Sequence, residues 1–264
     1  MATATGAAGV LLRQWRTRRE LSQLELSSTT GVSARHLSFI ETGRARPSRD
    51  LVLMLSAHLE VPIRDRNQLL VAAGYAPDFD AAPVGDGALA AVRVVLAGHG
   101  SVPAIAVDRA WNVVESNAAV AILLRDVAPE LLEPPVNSMR VAMHPRGMAP
   151  RIHNLAQWRA GVLDQLRRQV EATGSTELAA LFGELSGYPG GEVRSAEDGV
   201  AIPLVLDVDG EQLSFLMTMA TFGTPLDVAV SELVIEAFYP ADERTAETLR
   251  RSHALNTEGS QPPG

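Results

Sequence analysis

The chain has 264 residues, 46% hydrophobic and 20% charged, with no cysteine; this suits one large or two modest soluble domains and excludes disulfides and thiolate metal sites. No apolar run approaches the ~18 residues of a membrane span, and "MATATGAAGVLLRQW" lacks the basic start and long apolar middle of a signal peptide, so a cytoplasmic location is expected. The net charge of −8 hides an asymmetry: residues 1–75 hold ten Arg against six acidic residues, the remainder thirteen Arg against twenty-five, the pattern of a polyanion-binding module joined to a module of another kind.

In chain order, the spacing predicts five short helices over 1–75. "GVLLRQWRTRRE" has apolar residues at helical intervals. Ser22 with Glu25 forms a capping box for a second helix, which Gly31 ends. Ser33 caps a third helix through Glu41, and Gly43 closes it in the left-handed conformation. A fourth starts at Ser48, and a fifth runs from Pro62 to Gly74. Residues 76–87, "APDFDAAPVGDG", lose periodicity and read as a linker. The second module, 88–251, opens with a helix near 88–97. A hairpin follows around Asp108-Arg109-Ala110-Trp111, then a helix in "NAAVAILL" and a helical middle over about 150–187. The end is strand: "VAIPLVLDV", an Asp-Gly turn, "EQLSFLMTMATF" and "LDVAVSELVIEAFY". Pro203 favours an edge position for the first of these. Residues 252–264 read as a disordered tail. The fold class is therefore α+β: an all-α five-helix domain, then an α+β domain with an antiparallel sheet.

The third helix is the most informative element. Leu37 and Ile40 point inward with Val32, while Arg35 and Thr42 lie nearly opposite, flanked by Ser38 and Phe39. Such a helix can enter a major groove, where Arg reads guanine, with Ser33, Ala34, Arg35, Ser38, Phe39 and Thr42 as the base-reading set. Phe39 either touches a thymine methyl or covers the neighbouring helix. Arg44, Arg46 and Arg49 follow on the groove rim, suited to phosphates, and Gln23 can donate to a phosphate at a helix start.

"LSQLELSSTTGVSARHLSFIETGRARPS" resembles the helix-turn-helix of the phage-repressor (Xre) family, matching at Gln23, Leu26, Gly31, Val32, Leu37, Ile40, Glu41 and Gly43. The resemblance implies a repressor-like domain that binds double-stranded DNA, and a largely buried ion pair between Arg16 and Glu41. Ser27 and Thr30 depart from it, standing where the family has a small Ala and an apolar residue. One headpiece reads only a few base pairs, so a homodimer on a palindromic operator is expected, with affinity that falls steeply with salt.

The second module has no Gly-x-Ser-x-Gly, phosphate loop, Gly-x-Gly-x-x-Gly or His-Glu-x-x-His, and His99, His144 and His153 lack metal-site spacing. No enzyme activity, metal or cofactor is expected. Acidic pairs such as Glu197-Asp198 are explained by solvation. "PAIAVDRAWNVVESNAAVAILL" is similar to the opening of a PAS domain, led into its helix by Asn117. "NSMRVAMHPRGMAPRIHNLAQWRAGVLDQLRRQ" and "LSFLMTMATFGTPLDVAVSELVIEAFYPADE" resemble the ligand-binding domain of MmyB-like transcription regulators. That resemblance implies a PAS-like, helix-covered antiparallel sheet with an apolar pocket for a fatty-acid-like ligand. Phe215, Met217, Met219 and Phe222 would supply adaptable lining, with Trp158 as a wall. Arg140, His144, Arg151, His153 and Asn154 would meet a carboxylate. Three alternatives stand beside a ligand-sensing regulator: a second domain serving only dimerisation or partner docking, an enzyme regulating its own gene, and an antitoxin.

Overall fold

The computed structural model describes residues 4–78, 85–191, 202–222 and 228–258. Half of the expected linker (79–84), the pair Glu197-Asp198 and the last six residues of the expected tail lie outside them. The chain divides into two compact units, the first comprising residues 1–83 with the short segments 171–173 and 226–231.

The first unit is built of α1 (Ala4–Arg18), α2 (Gln23–Thr30), α3 (Ala34–Glu41), α4 (Arg49–His58) and α5 (Ile63–Ala72). Local chemistry sets their ends. Ser22 Oγ accepts the Glu25 N–H while Glu25 accepts the Ser22 N–H. Ser33 accepts from His36 and Ser48 from Leu51. Gly31 and Gly43 take φ of 73° and 74°, where a side chain is strained. Leu12, Trp15, Leu26, Leu37, Ile40, Leu55 and Leu69 form the core. α1 crosses α3 at Gly9, where a Cβ would stand 2.0 Å from the Ile40 carbonyl oxygen; only glycine lets the two backbones approach this closely. Thr30, the departure from the family pattern, returns its hydroxyl to the Leu26 carbonyl at 2.6 Å, so its polarity is satisfied within α2. Asp78 N–H donates to Asn67 Oδ1 at 3.0 Å, which ties the first residues of the expected linker to α5.

The second unit opens with α6 (Asp86–Gly98), two residues earlier than the spacing predicts, followed by β1 (Ala104–Val107) and β2 (Val113–Ser116). Asp108 Oδ1 accepts the Ala110 and Asn112 N–H groups at 2.8 Å each and shapes the hairpin turn. "NAAVAILL" forms a 3-10 turn over Ala118–Ile122. Then come α7 (Ser138–Met143), α8 (Leu155–Thr173) and α9 (Thr176–Ser186), the last two parted by Gly174 at φ 65°. β3 (Leu204–Val208), β4 (Glu211–Thr221), β5 (Val234–Pro240) and α11 (Glu243–Glu258) complete it, while the helical turn α10 (Val228–Ser231) between β4 and β5 groups with the first unit. The strands form one antiparallel sheet in the order β2-β1-β5-β4-β3, with β3 and its preceding Pro203 at an edge.

Opposed residues share a sheet face. Ile105 faces Ser116 on β2 and Glu236 on β5, and Glu236 faces Met219 on β4. This front face, with Leu204, Leu206, Phe215 and Phe238, is buried against Met139, Trp158, Val162 and Leu166 of α7 and α8. The back face places Ala104, Ala106, Ile235 and Ala237 against Val92 and Leu96 of α6.

Two expectations are corrected. The segment entering β5 coils as α10 before the strand begins. The tail read as disordered from Ser252 continues α11 to Glu258. That helix was masked by its polar composition, yet it is anchored: Asp242 accepts the Thr245 N–H at 2.7 Å, Thr245 accepts the Ser214 N–H at 3.0 Å, and Leu249 is buried.

Candidate functional site

α3 buries Leu37, Ile40 and Glu41 and turns Ser33, Arg35 and Thr42 to solvent, with Ala34, Ser38 and Phe39 half-exposed. The Arg35 guanidinium lies over the Phe39 ring, 5.4 Å from its centroid; the ring braces the arginine. Thr42 Oγ1 donates to the Ser38 carbonyl at 2.7 Å, and Ser33 Oγ is engaged as the cap.

Beneath this face lies a charged knot. Arg16 grips Glu41 with two bonds, Nε to Oε1 at 2.6 Å and Nη2 to Oε2 at 2.8 Å, and Nη1 donates to the Leu21 carbonyl. The side chains are only 13% and 5% exposed. Burial pushes the Glu41 carboxyl up, but hydrogen bonds from Arg16 and Gln23 and the charges of Arg16 and Arg13 outweigh it, leaving it below the usual carboxylate range. The pair ties α1 to the end of α3 and so fixes the tilt of the exposed helix.

Three expected phosphate contacts are differently employed. Gln23 Nε2 donates to Glu41 Oε2 at 2.8 Å, turning inward because the buried carboxylate offers a stronger acceptor than water. Arg46 donates to the Ala73 and Gly74 carbonyls at 2.9 and 3.1 Å and stacks on Tyr75, closing the otherwise orphaned end of α5. Arg49 is paired with Asp78. Arg44 is exposed and has no partner among the described residues. Arg13, overlooked in the sequence, is likewise exposed, close enough to Glu41 to act on its charge. Its signal was its place on α1 three residues before Arg16.

The second unit contains a cavity of about 310 Å³ between the front of the sheet and the helical layer. Ile105, Val120, Leu132, Met139, Val162 and Phe238 are typical of its walls. Of the ten expected pocket residues, only Trp158 and Met217 line it. Phe215 is wholly buried in the core beside it, Met219 is 49% exposed, and Phe222 packs with the back-face cluster. The polar candidates have other work. Arg140 forms a two-bond pair with Glu184 at 2.7 and 2.8 Å, which holds that carboxyl down to about 2. His144 meets Tyr188 edge-on and accepts the Arg146 N–H. His153 lies 3.9 Å from Asp207. Asn154 clamps the edge strand, donating to the Pro203 carbonyl and accepting from Val205 N–H. Arg151 donates to the Leu123 carbonyl at 2.7 Å, while its Nε and Nη1 are buried without a partner among the described residues.

The polar groups that do line the cavity are Ser116, Ser138, Gln165 and Glu236. Glu236 is 5% exposed, and burial pushes its carboxyl up to about 7. A period-two signal was present in "VIEAF", where Glu236 shares a face with Val234 and Phe238. Among the described residues no group of three His, Asp or Glu is placed to hold a metal ion, and no helix is long and apolar enough to cross a membrane.

A helix-turn-helix domain with an outward arginine-bearing helix, carried on one chain with an α+β domain built around an apolar cavity, defines a DNA-binding transcription regulator with a ligand-binding domain. Residues 12–65 match the helix-turn-helix family model, and residues 89–251 match the MmyB-like transcription regulator ligand binding domain. With more than half its length in the second match, the chain belongs to the MmyB-like family. A search of the curated proteins found no match.

Proposed function

We propose that this protein is a bacterial transcription regulator that binds a palindromic operator as a homodimer, with α3 in the major groove, and that its second domain holds a small molecule with a fatty-acid-like apolar body. The carrying observation is the outward face of α3, with Arg35 braced on Phe39 above the Arg16–Glu41 pair. Arg35, Ser38 and Thr42, with Ser33, Ala34 and Phe39 beside them, read bases. Arg44 and Arg13 take phosphates, and Arg49 does so on exchanging Asp78 for a phosphate oxygen. The strand order β2-β1-β5-β4-β3 supports a PAS-like assignment for the second domain. Exposed Val94, Leu216 and Tyr239 on that domain support self-association. A regulator of this kind works in the cytoplasm, where its DNA is. A ligand alters DNA affinity only by preferring one dimer arrangement over another.

The test is selection of bound sequences from a random duplex pool by the full-length protein. A two-fold symmetric site is expected, and Arg35→Ala should cost about 1–3 kcal/mol on it with discrimination lost at one base pair per half-site. Unchanged affinity and unchanged preference in Arg35→Ala would overturn the groove assignment.

A further inference from the structure

The walls of the cavity raise a question of charge. A ligand with a carboxylate head needs a cation or several donors at the cavity surface, yet among the described residues no Arg or His lines this one. Among the described residues its one ionisable lining group is an acid. Glu236 sits in the middle of the sheet, on a row that runs Ser116, Ile105, Glu236, Met219 across β2, β1, β5 and β4. Gln165 of α8 donates to Met219 Sδ at 3.2 Å at the end of that row, and both Ser116 and Gln165 line the cavity with Glu236. The carboxyl is 5% exposed and has no hydrogen-bond partner among the described residues.

A buried, unpartnered carboxyl is costly to maintain. An isolated structural Glu on the apolar face of a central strand has no packing advantage over Gln, Met or Leu, so its chemistry is explained best by something that enters beside it. Resting on the reading of this cavity as the ligand site, we propose that it takes an amphiphile with an apolar body and a protonated amine head, and that Glu236 is the anchor of that head, with Ser116 and Gln165 completing its hydrogen bonds. Because burial holds the carboxyl at about 7, it is close to the point of ionising at neutral pH, and an ammonium arriving beside it would favour that ionisation, the carboxyl proton passing to solvent and leaving a carboxylate–ammonium pair with no net charge. A carboxylate head would face the opposite situation, two acids sharing one apolar site. The competing anchor is Arg151, with two unpartnered nitrogens and a bond to the carbonyl of the wall residue Leu123, but Arg151 is not itself a wall residue.

Calorimetric titration of the ligand-free full-length protein with dodecylamine, dodecanol and dodecanoic acid, each below its micelle concentration at about pH 7.5, separates these possibilities. Dodecylamine should bind wild type roughly tenfold or more tighter than dodecanoic acid. Glu236→Gln should bring the two within about threefold of each other while leaving dodecanol nearly unchanged. This ranking in wild type decides the head-group class even should Glu236→Gln fold poorly. Saturable dodecanol binding with dodecanoic acid tighter than dodecylamine, lost in Arg151→Met, would leave the cavity assignment standing and overturn the amine head. An amine preference that persists in well-folded Glu236→Gln would also overturn it. Saturable binding of none of the three would overturn the cavity assignment itself, and the head-group assignment with it.

Discussion

Replacing Glu236 by Gln keeps the side-chain shape and removes its ability to charge. In the unfolded chain a glutamate carboxyl ionises near its ordinary value of 4.5, whereas burial in the folded state moves it to about 7. The folded protein therefore holds this proton over a range where the unfolded chain has released it, and wild-type stability falls as pH rises between those values and levels off above them. At about 1.4 kcal/mol per pH unit, the gap corresponds to about 3 kcal/mol. Since the side chain is 5% exposed, little is lost to solvent screening. The stability difference between Glu236→Gln and wild type should thus shift in favour of the variant by about 3 kcal/mol between pH 4.5 and pH 8, with under about 1 kcal/mol of that shift complete by pH 5. Urea unfolding of ligand-free protein, followed through hydrogen exchange of the β1 and β5 amides, reports this unit alone. Parallel curves for the two proteins across that range would refute the reasoning, because they would mean that the carboxyl ionises in the folded state as readily as in water.

Gly9→Ala forces a methyl group to within 2.0 Å of the Ile40 carbonyl, and the parting of α1 from α3 should outweigh the gain in helix propensity by about 2 kcal/mol or more, read from the melting of the helical unit. Glu41→Ala leaves Arg16 buried without its partner and should destabilise that unit by about 3–5 kcal/mol. Because the Glu41 carboxyl is held below its usual range, its contribution in wild type is present above the ordinary carboxylate pKa and is lost as pH falls through the folded value, which urea midpoints in neutral and acid buffer would register. Arg44→Ala should flatten the dependence of log affinity on log salt by about one unit without changing the melting temperature, whereas Arg46→Ala should lower the melting temperature and leave that slope alone.

How much of this was legible in the sequence depended on the distance over which each residue acts. Ser22, Glu25, Gly31, Ser33 and Gly43 set helix ends through partners a few positions away, so their roles could be read from spacing. The Arg16–Glu41 pair spans 25 residues and was accessible only because the resemblance to a known helix-turn-helix supplied it. Arg46 and Arg49 find partners 27 to 29 positions on, and Arg140 finds Glu184 at 44; spacing alone made all three seem available to a ligand. On β4 Leu213 and Phe215 are buried while Met219 on the same face is half-exposed, because which part of that face is covered, and which part borders a void, depends on how α7 and α8 bridge over it. Glu236 stood in plain view on an apolar face, and its polarity, which reads as an interruption of a strand, is the most distinctive chemistry in the cavity.

β5 has Glu236 on one side and Ile235 with Ala237 on the other, in one buried cluster with Val92 and Leu96 of α6. At that point the sheet is a single ply, a diaphragm with a lone charge-bearing spot on its inner surface and a helix resting on its outer one. Anything that bows the ply outward must lift α6, and α6 is the first helix after the stretch of chain that leads in from the amino-terminal helices. A molecule held in the chamber would thus act on the same short run of backbone as the helix behind it.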